Sequence, residues 1–348
     1  MNPKEDAPRL SICIATYNRG GYIGQTLDSF LPGLPPSVEV LVVDGASPDD
    51  TMSTLASYVS KYPALRYFRE PENSGIDGDY DKAVGYARGE YCWLMTDDDL
   101  LTSGAIQRVL DALSGTPDLL VVGANVRTAD LTRLLNPNLL PAVGPTEYGT
   151  DTIGDLFADV GSYLSFIGAV IVRRVVWLCR QRKRYYGSLF IHVGTLFQEP
   201  PLTRVLVLRY PLITIRYGNA MWTSRGFEIW MFKWPSLVWS FGHLPISARS
   251  AVTKIAPYRS MRLLLWYRAI GAYSTTEYQL FLRNRLAWPA RAVAFLIAST
   301  PLRVANGFVG ACFLAGLTRS PLMSIYDLAR PGHSTWVARL ISRRRGLM

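Results

Sequence analysis

The feature that most constrains the fold of this chain is an alternation of short apolar runs with helical patterns across residues 10–122. The apolar runs are rich in β-branched residues and are predicted as strands at 10–16, 38–43, 65–68, 91–95 and 119–122. Helical patterns lie between them at 22–31, from the N-cap segment 47–50 to about 61, at 75–88 and at 104–113. Such alternation with short loops is typical of α/β proteins. We therefore predict an α/β fold with a doubly wound, mostly parallel sheet.

Polar residues directly follow three of the predicted strands. Tyr17 follows the first strand, Asp44 follows the second, and Asp97–Asp99 come just after the fourth. In open α/β sheets, ligands bind beyond the carboxyl ends of the strands, near a switch in strand order. The sequence therefore predicts a binding site at this edge of the sheet.

The three adjacent aspartates are the strongest signal for a site. Adjacent carboxylates repel one another, so a counter-cation at Asp97–Asp99 would relieve the repulsion. Mg²⁺ and Mn²⁺ prefer oxygen ligands, and these ions commonly bridge the diphosphate of a nucleotide. The alternative is an acidic helix cap, because aspartate is common at helix starts. We favour the metal site, since a cap requires one aspartate and this turn has three.

The other polar residues at this edge each have two interpretations. Asp44 could accept a hydrogen bond from a base or a ribose, or it could be a turn residue. Tyr17 could stack on a base or cover the edge of the sheet. The acids of segment 73–81, including Asp79, could reach ligand hydroxyls or a metal-bound water. Alternatively, they are first-turn acids that the helix dipole stabilises.

Four segments occur in the order and spacing of a known family: ATYNRGGYIGQTLDSF, VLVVDGASPDDT, ENSGIDGDYDKAVGYARGEYCWLMTDDDLL and SFIGAVIVRRVVW. Over about residues 9–215 the chain resembles family-2 glycosyltransferases of GT-A fold. The stretch 73–99, with the later GSLFIHVG and YGNAMW, is most similar to abequosyltransferase-like O-antigen enzymes. The resemblance implies metal-dependent, inverting transfer of a hexosyl or deoxyhexosyl group from a nucleotide-sugar donor.

The resemblance also implies roles for individual residues. Donor and nucleotide binding is expected at Ala15, Tyr17, Asp44, Asp79 and Asp97, and Mg²⁺ or Mn²⁺ binding at Asp98 and Asp99. The chain departs from the family at Gly45, where many relatives carry a second aspartate. It also lacks the aspartate that relatives commonly place near residue 192 as the general base.

Two residues could replace that base. His192, in SLFIHVG, lies near the family position, and the unperturbed pKa of histidine suits proton transfer near neutral pH. His192 could instead be a core histidine on an apolar run. Glu199 is the second candidate, and its alternative role is to cap the turn before Pro200. We predict His192 as the base to test first.

Charge divides the chain into two parts. Residues 1–200 carry a net charge of −7, and residues 201–348 carry a net charge of +17. We predict a catalytic domain at 1–220 and a helical C-terminal region at 221–348, in which arginines alternate with tryptophans and other large apolar residues. Such a composition fits single-stranded nucleic acid, a membrane interface, or solvated helix faces.

We favour the membrane interface and expect no nucleic-acid partner, because no nucleic-acid-binding motif accompanies the charge. The resemblance implies a polyprenyl-diphosphate-linked saccharide as acceptor, at the cytoplasmic face of the inner membrane. We expect peripheral or monotopic attachment, because arginines, Asn306 and Pro301 interrupt the apolar stretch 287–317 and the N-terminus has no signal-peptide pattern. The apolar faces could also form a homo-oligomer.

Two other classes stay open. A sugar nucleotidyltransferase shares the sheet and the metal carboxylates, although its basic, Gly-rich phosphate loop has only a faint counterpart in TYNRGGYIG. A catalytically inactive module that binds lipid or nucleic acid is the non-enzyme alternative.

Overall fold

The computed structural model describes residues 7–141, 143–144, 146–219 and 225–347, which divide into two compact units. The first unit consists of Met1–Arg127, Pro137–Arg216 and Phe241–Val252. The second consists of Thr128–Asn136, Tyr217–Ser240 and Thr253–Met348. The division predicted at residue 220 differs from these units in two short segments. Residues 128–136 belong to the second unit and residues 241–252 to the first. Composition does not mark segments of that length.

The elements are numbered in chain order. The strands are β1 Leu10–Thr16, β2 Val38–Asp44, β3 Leu65–Arg69, β4 Tyr91–Met95, β5 Leu100–Leu101, β6 Leu119–Thr128, β7 Leu134–Asn136, β8 Glu147–Gly149, β9 Val170–Arg173 and β10 Arg204–Tyr217. The helices are α1 Gly20–Asp28, α2 Thr51–Lys61, α3 Gly75–Tyr86, α4 Ala105–Leu113, α5 Ile153–Val160, α6 Arg174–Leu178, α7 Ile191–Leu196, α8 Gly226–Glu228, α9 Trp234–Ser240, α10 Ile246–Val252, α11 Met261–Ala269, α12 Thr275–Glu277, α13 Ala290–Ser299, α14 Leu302–Leu314, α15 Leu322–Leu328 and α16 Trp336–Arg344. The strands and helices predicted for residues 10–122 are confirmed, and the main differences are an α1 that begins and ends earlier, a longer β6 and the short strand β5, which was not predicted.

The sheet is mixed rather than mostly parallel. Eight strands follow the order β3-β2-β1-β4-β9-β6-β10-β5, and β8 pairs with β10. The pairs β1–β2, β1–β4 and β2–β3 are parallel. Beyond β4, strand β9 runs antiparallel to both β4 and β6, and β10 runs antiparallel to β5 and β8. The predicted fold class is thus corrected to a mixed α/β sheet, in which strands β3, β2, β1 and β4 are parallel.

The parallel half positions the candidate site. Every residue of β1 and β2 is buried, as expected for parallel strands covered on both faces. Tyr80 of α3 is buried beneath the end of β4, and its hydroxyl donates to the Met95 carbonyl at 2.9 Å. The indole N–H of Trp93 donates to the Gly168 carbonyl at 2.8 Å, which ties the loop before β9 to the sheet. These bonds fix the strand end that leads into Asp97–Asp99.

The second unit is helical. Its main core packs Phe227 against Tyr273, whose rings stack with centroids 4.8 Å apart. Asn306 of α14 is fully buried, and its amide donates to the carbonyls of Ala269 and Leu328 at 3.1 and 2.9 Å. The polar residue that interrupts the apolar stretch 287–317 therefore joins α11, α14 and α15 within this unit.

No single helix among residues 7–141, 143–144, 146–219 and 225–347 has both the length and the hydropathy to cross a membrane. Helices α13 and α14 reach the required length and hydropathy only when taken together, and the chain bends by 103° between them, at the break between Ser299 and Leu302.

Candidate active site

The carboxyl ends of β1, β2 and β4 bring three of the predicted segments to one edge of the sheet. Thr16, the last residue of β1, pairs with Asp44, the last residue of β2. On the other side, β1 pairs with β4, which ends at Met95 just before the acidic turn. Tyr17 therefore leaves the sheet between Asp44 and that turn, and it is half-buried. Ala15 lies one residue inside β1 and is 6% exposed.

Asp44 is fully buried and its carboxylate accepts three hydrogen bonds. Oδ1 accepts from the Ser47 N–H at 2.8 Å, while Oδ2 accepts from the Tyr67 hydroxyl at 2.7 Å and from Arg69 at 2.8 Å. Arg69 also donates to the Ser47 carbonyl at 2.9 Å. Asp44 thereby fixes the loop that follows β2. Its contact with a nucleoside stays a prediction.

Asp79 lies above this loop, in the space that Gly45 leaves open. A Cβ atom at residue 45 would be 2.7 Å from Asp79 Oδ2. The Asp79 carboxylate is 3% exposed and accepts a hydrogen bond from the Ser74 hydroxyl at 2.6 Å. Burial raises the pKa of Asp79, and this bond partly opposes the shift. The edge thus has a carboxylate near the position where many relatives have their second aspartate.

The acids of α3 divide between two faces of the helix. Asp77 and Asp81 are four residues apart and share a face, whereas Asp79 lies on the other side. Asp77 accepts hydrogen bonds from the backbone N–H groups of Leu189 and Ile191 at 2.9 and 3.0 Å. Asp81 accepts from the side chains of Trp177, Arg182 and Tyr186 at 2.9, 2.6 and 2.7 Å. Asp77 and Asp81 therefore anchor the segment 177–191 rather than face the sheet edge.

At the acidic turn, Asp97 and Asp98 lie beside the guanidinium of Arg19. Arg19 Nη2 is 3.4 Å from Asp98 Oδ2, and Arg19 Nε is 3.8 Å from Asp97 Oδ1. The side chains of Asp97 and Asp98 are 14% and 13% exposed. Burial, together with repulsion from Asp98, raises the pKa of Asp97 to about 7, although Arg19 opposes the shift. The charged form of Asp97 is therefore disfavoured in this turn, in spite of the nearby guanidinium.

Asp99 is directed into the protein. It is 2% exposed, its Oδ2 accepts from the Thr96 hydroxyl at 2.5 Å, and its Oδ1 accepts from the Arg216 N–H at 2.8 Å. Burial and the charge of Asp98 raise its pKa well above the ordinary value. This geometry does not favour the predicted metal role of Asp99, because its buried carboxylate is bonded within the turn through Oδ2 and to the end of β10 through Oδ1.

Sequence reasoning missed Arg19 and Arg216. Arg216, at the end of β10, is 7% exposed and donates to the Asp98 carbonyl at 3.0 Å and to Gln25 Oε1 at 2.6 Å. Both guanidinium carbons lie 5.3 Å from the centre of the Tyr22 ring. The available signals were an arginine directly after β1, in TYNRGG, and one at the end of the last long strand.

The structure buries His192. The residue is 1% exposed in α7, and its Nε2 lies 2.7 Å from the Leu164 carbonyl oxygen. Burial lowers the pKa of His192 to about 4, although the bond to Leu164 opposes the shift. This environment supports the alternative of a core histidine rather than a general base that meets an acceptor hydroxyl.

Glu199 is exposed in the turn before Pro200. Arg180 donates to the carbonyls that flank this residue, those of Gln198 at 2.6 Å and Pro200 at 2.7 Å. Shortly after the turn, Thr203 donates to Asp118, which precedes β6 at the opposite edge of the sheet from the acidic turn. The structure therefore does not bring Glu199 to Asp97 and Asp98, and its role as the base is corrected to that of a surface turn residue.

Only part of the predicted metal site fits a divalent ion. Within the described part of the chain, no three histidine, cysteine, aspartate or glutamate side chains converge as ligands for one metal ion. Magnesium beside phosphates commonly uses one or two carboxylates, with the other ligands from substrate and water. Asp97 and Asp98 fit that requirement, since both are partly exposed carboxylates just after the end of β4. Asp99 does not fit, because its oxygens are bound elsewhere.

The amino-acid sequence is similar to one family model and to several known proteins. Residues 11–177 match Glycosyl transferase family 2. The chain is 23% identical over 230 residues to the abequosyltransferase RfbV of Salmonella typhimurium, covering 62% of this chain and 69% of that protein. It is 31% identical over 123 residues to chondroitin synthase of Escherichia coli, covering 35% of this chain and only 18% of the synthase.

Two solved structures share the fold. The S. aureus TarS 1–349 structure matches with a TM-score of 0.53 and 17% identity over 97% of this chain and 92% of that chain. The mannosyltransferase PcManGT from Pyrobaculum calidifontis, in complex with GDP-Man and Mn²⁺, matches with a TM-score of 0.52 and 16% identity. It covers 98% of this chain and 88% of its own chain. At these identities the likeness establishes a shared mixed α/β architecture.

Proposed function

Residues 11–177 form a family-2 glycosyltransferase domain, and from this premise we propose that the glycosyltransferase uses a nucleotide-sugar donor bound at the carboxyl edge of β1, β2 and β4. The observation that carries the proposal is the grouping of Asp97 and Asp98 with the guanidinium groups of Arg19 and Arg216. Carboxylates suit a divalent ion, and guanidinium groups suit the oxygens of a diphosphate. A donor diphosphate with a bound divalent ion would therefore suit both the carboxylates and the guanidinium groups of this cluster.

In this proposal Asp97 and Asp98 bind Mg²⁺ or Mn²⁺. When bound, the ion would neutralise the negative charge that develops on the leaving diphosphate. Arg216 is fixed by its bonds to Asp98 and Gln25, and it contributes a further positive charge at this position without moving. The mannosyltransferase with Mn²⁺ and GDP-Man shares the fold, which is consistent with this assignment.

The nucleoside and sugar are proposed to lie along the same edge. Tyr17 and Ala15, at the end of β1, lie next to β2 and are placed on the nucleoside side. Asp44 acts through the loop that its carboxylate fixes. Asp79, above Gly45, is the carboxylate of α3 that faces this loop and is assigned to the donor. The reaction is proposed to invert the sugar carbon, so a base must accept the proton of the acceptor hydroxyl.

The acceptor is proposed to be a polyprenyl-diphosphate-linked saccharide at the cytoplasmic face of the inner membrane. The support is the resemblance to O-antigen enzymes, the net charge of +17 over residues 201–348, and exposed apolar side chains on α13 and α14. A basic, apolar surface suits an anionic lipid interface, to which the chain would attach peripherally or monotopically.

A thermal-shift screen of nucleoside diphosphates with Mn²⁺ tests the donor site. One base is expected to stabilise the protein, because a ligand at roughly 100 times its Kd adds about 2.7 kcal/mol to the unfolding free energy. The Asp98→Asn variant is expected to lose the Mn²⁺-dependent part of the shift and to lose sugar transfer. Glu147→Gln, which changes an exposed carboxylate on β8, is the matched control and should retain both.

Either of two results would contradict the proposal: the same shift and the same transfer rate in EDTA, or an Asp98→Asn variant as active as the wild type. Release of pyrophosphate from a nucleoside triphosphate would instead identify a nucleotidyltransferase.

A further inference from the structure

The acidic turn has a positive partner within its own chain. Arg19 is 9% exposed, and its guanidinium lies 3.4 Å from one Asp98 oxygen and 3.8 Å from one Asp97 oxygen. These are the two carboxylates that the proposed function assigns to a divalent ion. A single guanidinium therefore adjoins the oxygens that the ion would bind.

Local structure fixes the backbone of Arg19. Its N–H donates to the Thr51 hydroxyl at 3.0 Å, and its carbonyl accepts from the N–H groups of Tyr22 and Ile23 at 2.9 and 3.0 Å. Arg19 is thus the N-cap residue of α1. Beyond this fixed backbone, its long side chain extends over the Tyr22 ring toward the acidic turn.

The distances from Arg19 to the acids differ from those of a tight ion pair. Charge-assisted N–H···O bonds are commonly about 2.7–2.9 Å long, and guanidinium–carboxylate pairs are often bidentate. Arg19 exceeds that length to both acids. Arg216, in contrast, makes bonds of 3.0 and 2.6 Å to the Asp98 carbonyl and Gln25. Arg19 therefore lies beside both acids at distances longer than those of a bidentate guanidinium–carboxylate pair.

We propose that Arg19 is a positioning residue that competes with the divalent ion for Asp97 and Asp98 and pairs with the donor diphosphate once the ion has taken its place. This inference rests on the proposed function. Under this proposal the binding of metal and the binding of donor depend on each other. The ion alone must displace the guanidinium of Arg19 from the two carboxylates, whereas the donor diphosphate can pair with the displaced guanidinium. By linkage, each ligand then raises the affinity for the other by the same factor.

Titration with Mn²⁺, alone and with the nucleoside diphosphate found in the screen, tests this inference. Arg19→Gln is expected to bind Mn²⁺ alone about 3- to 10-fold more tightly than wild type, because a positive charge next to the ligands is gone. The same variant should bind the diphosphate more weakly in Mn²⁺, so the factor by which the two ligands favour each other should fall. A merely structural arginine would not shift the two affinities in opposite directions.

Two variants complete the experiment. Arg19→Lys keeps a positive charge and should bind Mn²⁺ with an affinity between those of the wild type and Arg19→Gln, which keeps the test decisive if Arg19→Gln does not fold. Arg66→Gln removes an arginine that pairs with Glu39 at 3.1 Å on β2 and should behave as wild type. Equal or weaker Mn²⁺ binding by both Arg19 variants, with wild-type binding intact, would overturn this inference alone. Absence of Mn²⁺ binding by wild type, even with the diphosphate, would overturn the proposed metal site as well.

Discussion

Gly45 and Asp79 share one small space beside the loop that follows β2. Besides Asp79, a Cβ at residue 45 would meet Asn73 Oδ1 at 3.4 Å. An aspartate at 45 would also add a second carboxylate next to one whose pKa burial already raises. Glycine at residue 45, where many relatives carry aspartate, therefore has a steric and an electrostatic reason, and both reasons involve Asp79 of α3.

A double-mutant cycle tests that reason. Gly45→Ala is expected to lower the free energy of unfolding by about 1–3 kcal/mol, because the new methyl overlaps a buried carboxylate. In an Asp79→Ala background the same change should cost little, since the overlapping oxygen is gone. Urea unfolding measures all four proteins, and Gly85→Ala, where a Cβ meets open space on α3, is the control. Equal costs of Gly45→Ala in both backgrounds would show that the two residues are independent.

His192 adds a pH dependence to stability. Its pKa is about 4 in the folded protein against 6.5 in its ordinary state, because burial penalises the charged ring. Its Nδ1 has no hydrogen-bond partner among the described residues. Between pH 6.5 and 4 the unfolded chain binds a proton that the folded chain does not, so stability is complete above this range and falls as pH decreases through it. The full contribution is roughly 3 kcal/mol.

His192→Gln should therefore flatten the dependence of unfolding free energy on pH between 6.5 and 4. Glutamine does not titrate and its amide can still donate to the Leu164 carbonyl, so the comparison isolates the ring. Urea unfolding at several pH values measures the two slopes. A slope identical to that of wild type would argue against the buried, neutral ring. If turnover instead fell by roughly 10²–10⁴ with unchanged stability at pH 7, His192 would be the base.

At the scale of elements, the sequence predicts the strands of the parallel half of the sheet but, among the other strands, only β6. Strands β1, β2 and β4 are mostly apolar because both faces are covered, and such runs are visible in the sequence even though Ser11 and Glu39 interrupt two of them. Strand β9 has four residues and follows two short 3₁₀ turns, so its segment has too few residues to show a period. Its position between β4 and β6 is set by long-range pairing that no local pattern encodes.

The site was predictable by residue type but not by orientation. Asp77, Asp79 and Asp81 look alike in sequence, yet the direction of α3 sends one to the strand edge and two to the segment 177–191. The acidic turn was predictable because three aspartates follow a buried strand. The convergence of Arg19 and Arg216 was not, since it depends on β10 reaching the turn from far along the chain.

At the scale of the whole molecule, exposed apolar side chains are concentrated on the bent pair α13–α14 of the second unit. Leu296, Val304 and Phe308 are 65%, 59% and 58% exposed. The opposite faces of both helices belong to the cores of that unit. Deletion of residues 287–348 would therefore remove core as well as surface, so point changes on the exposed face are the sharper test of membrane attachment.

The Val304→Asp/Phe308→Asp variant is expected to lose binding to vesicles that contain anionic lipid. Burial of each such side chain is worth about 1.5–3 kcal/mol, so the pair should reduce partitioning by roughly 100-fold or more. Co-sedimentation measures the effect, and an unchanged melting temperature verifies the fold, since both side chains lie on the exposed face. The matched control is Ile246→Asp on α10, a side chain that is 67% exposed in the first unit and should leave binding unchanged. Undiminished binding of the double variant would contradict membrane attachment through this face, and a wild-type dimer that the variant converts to monomer would instead assign the face to self-association.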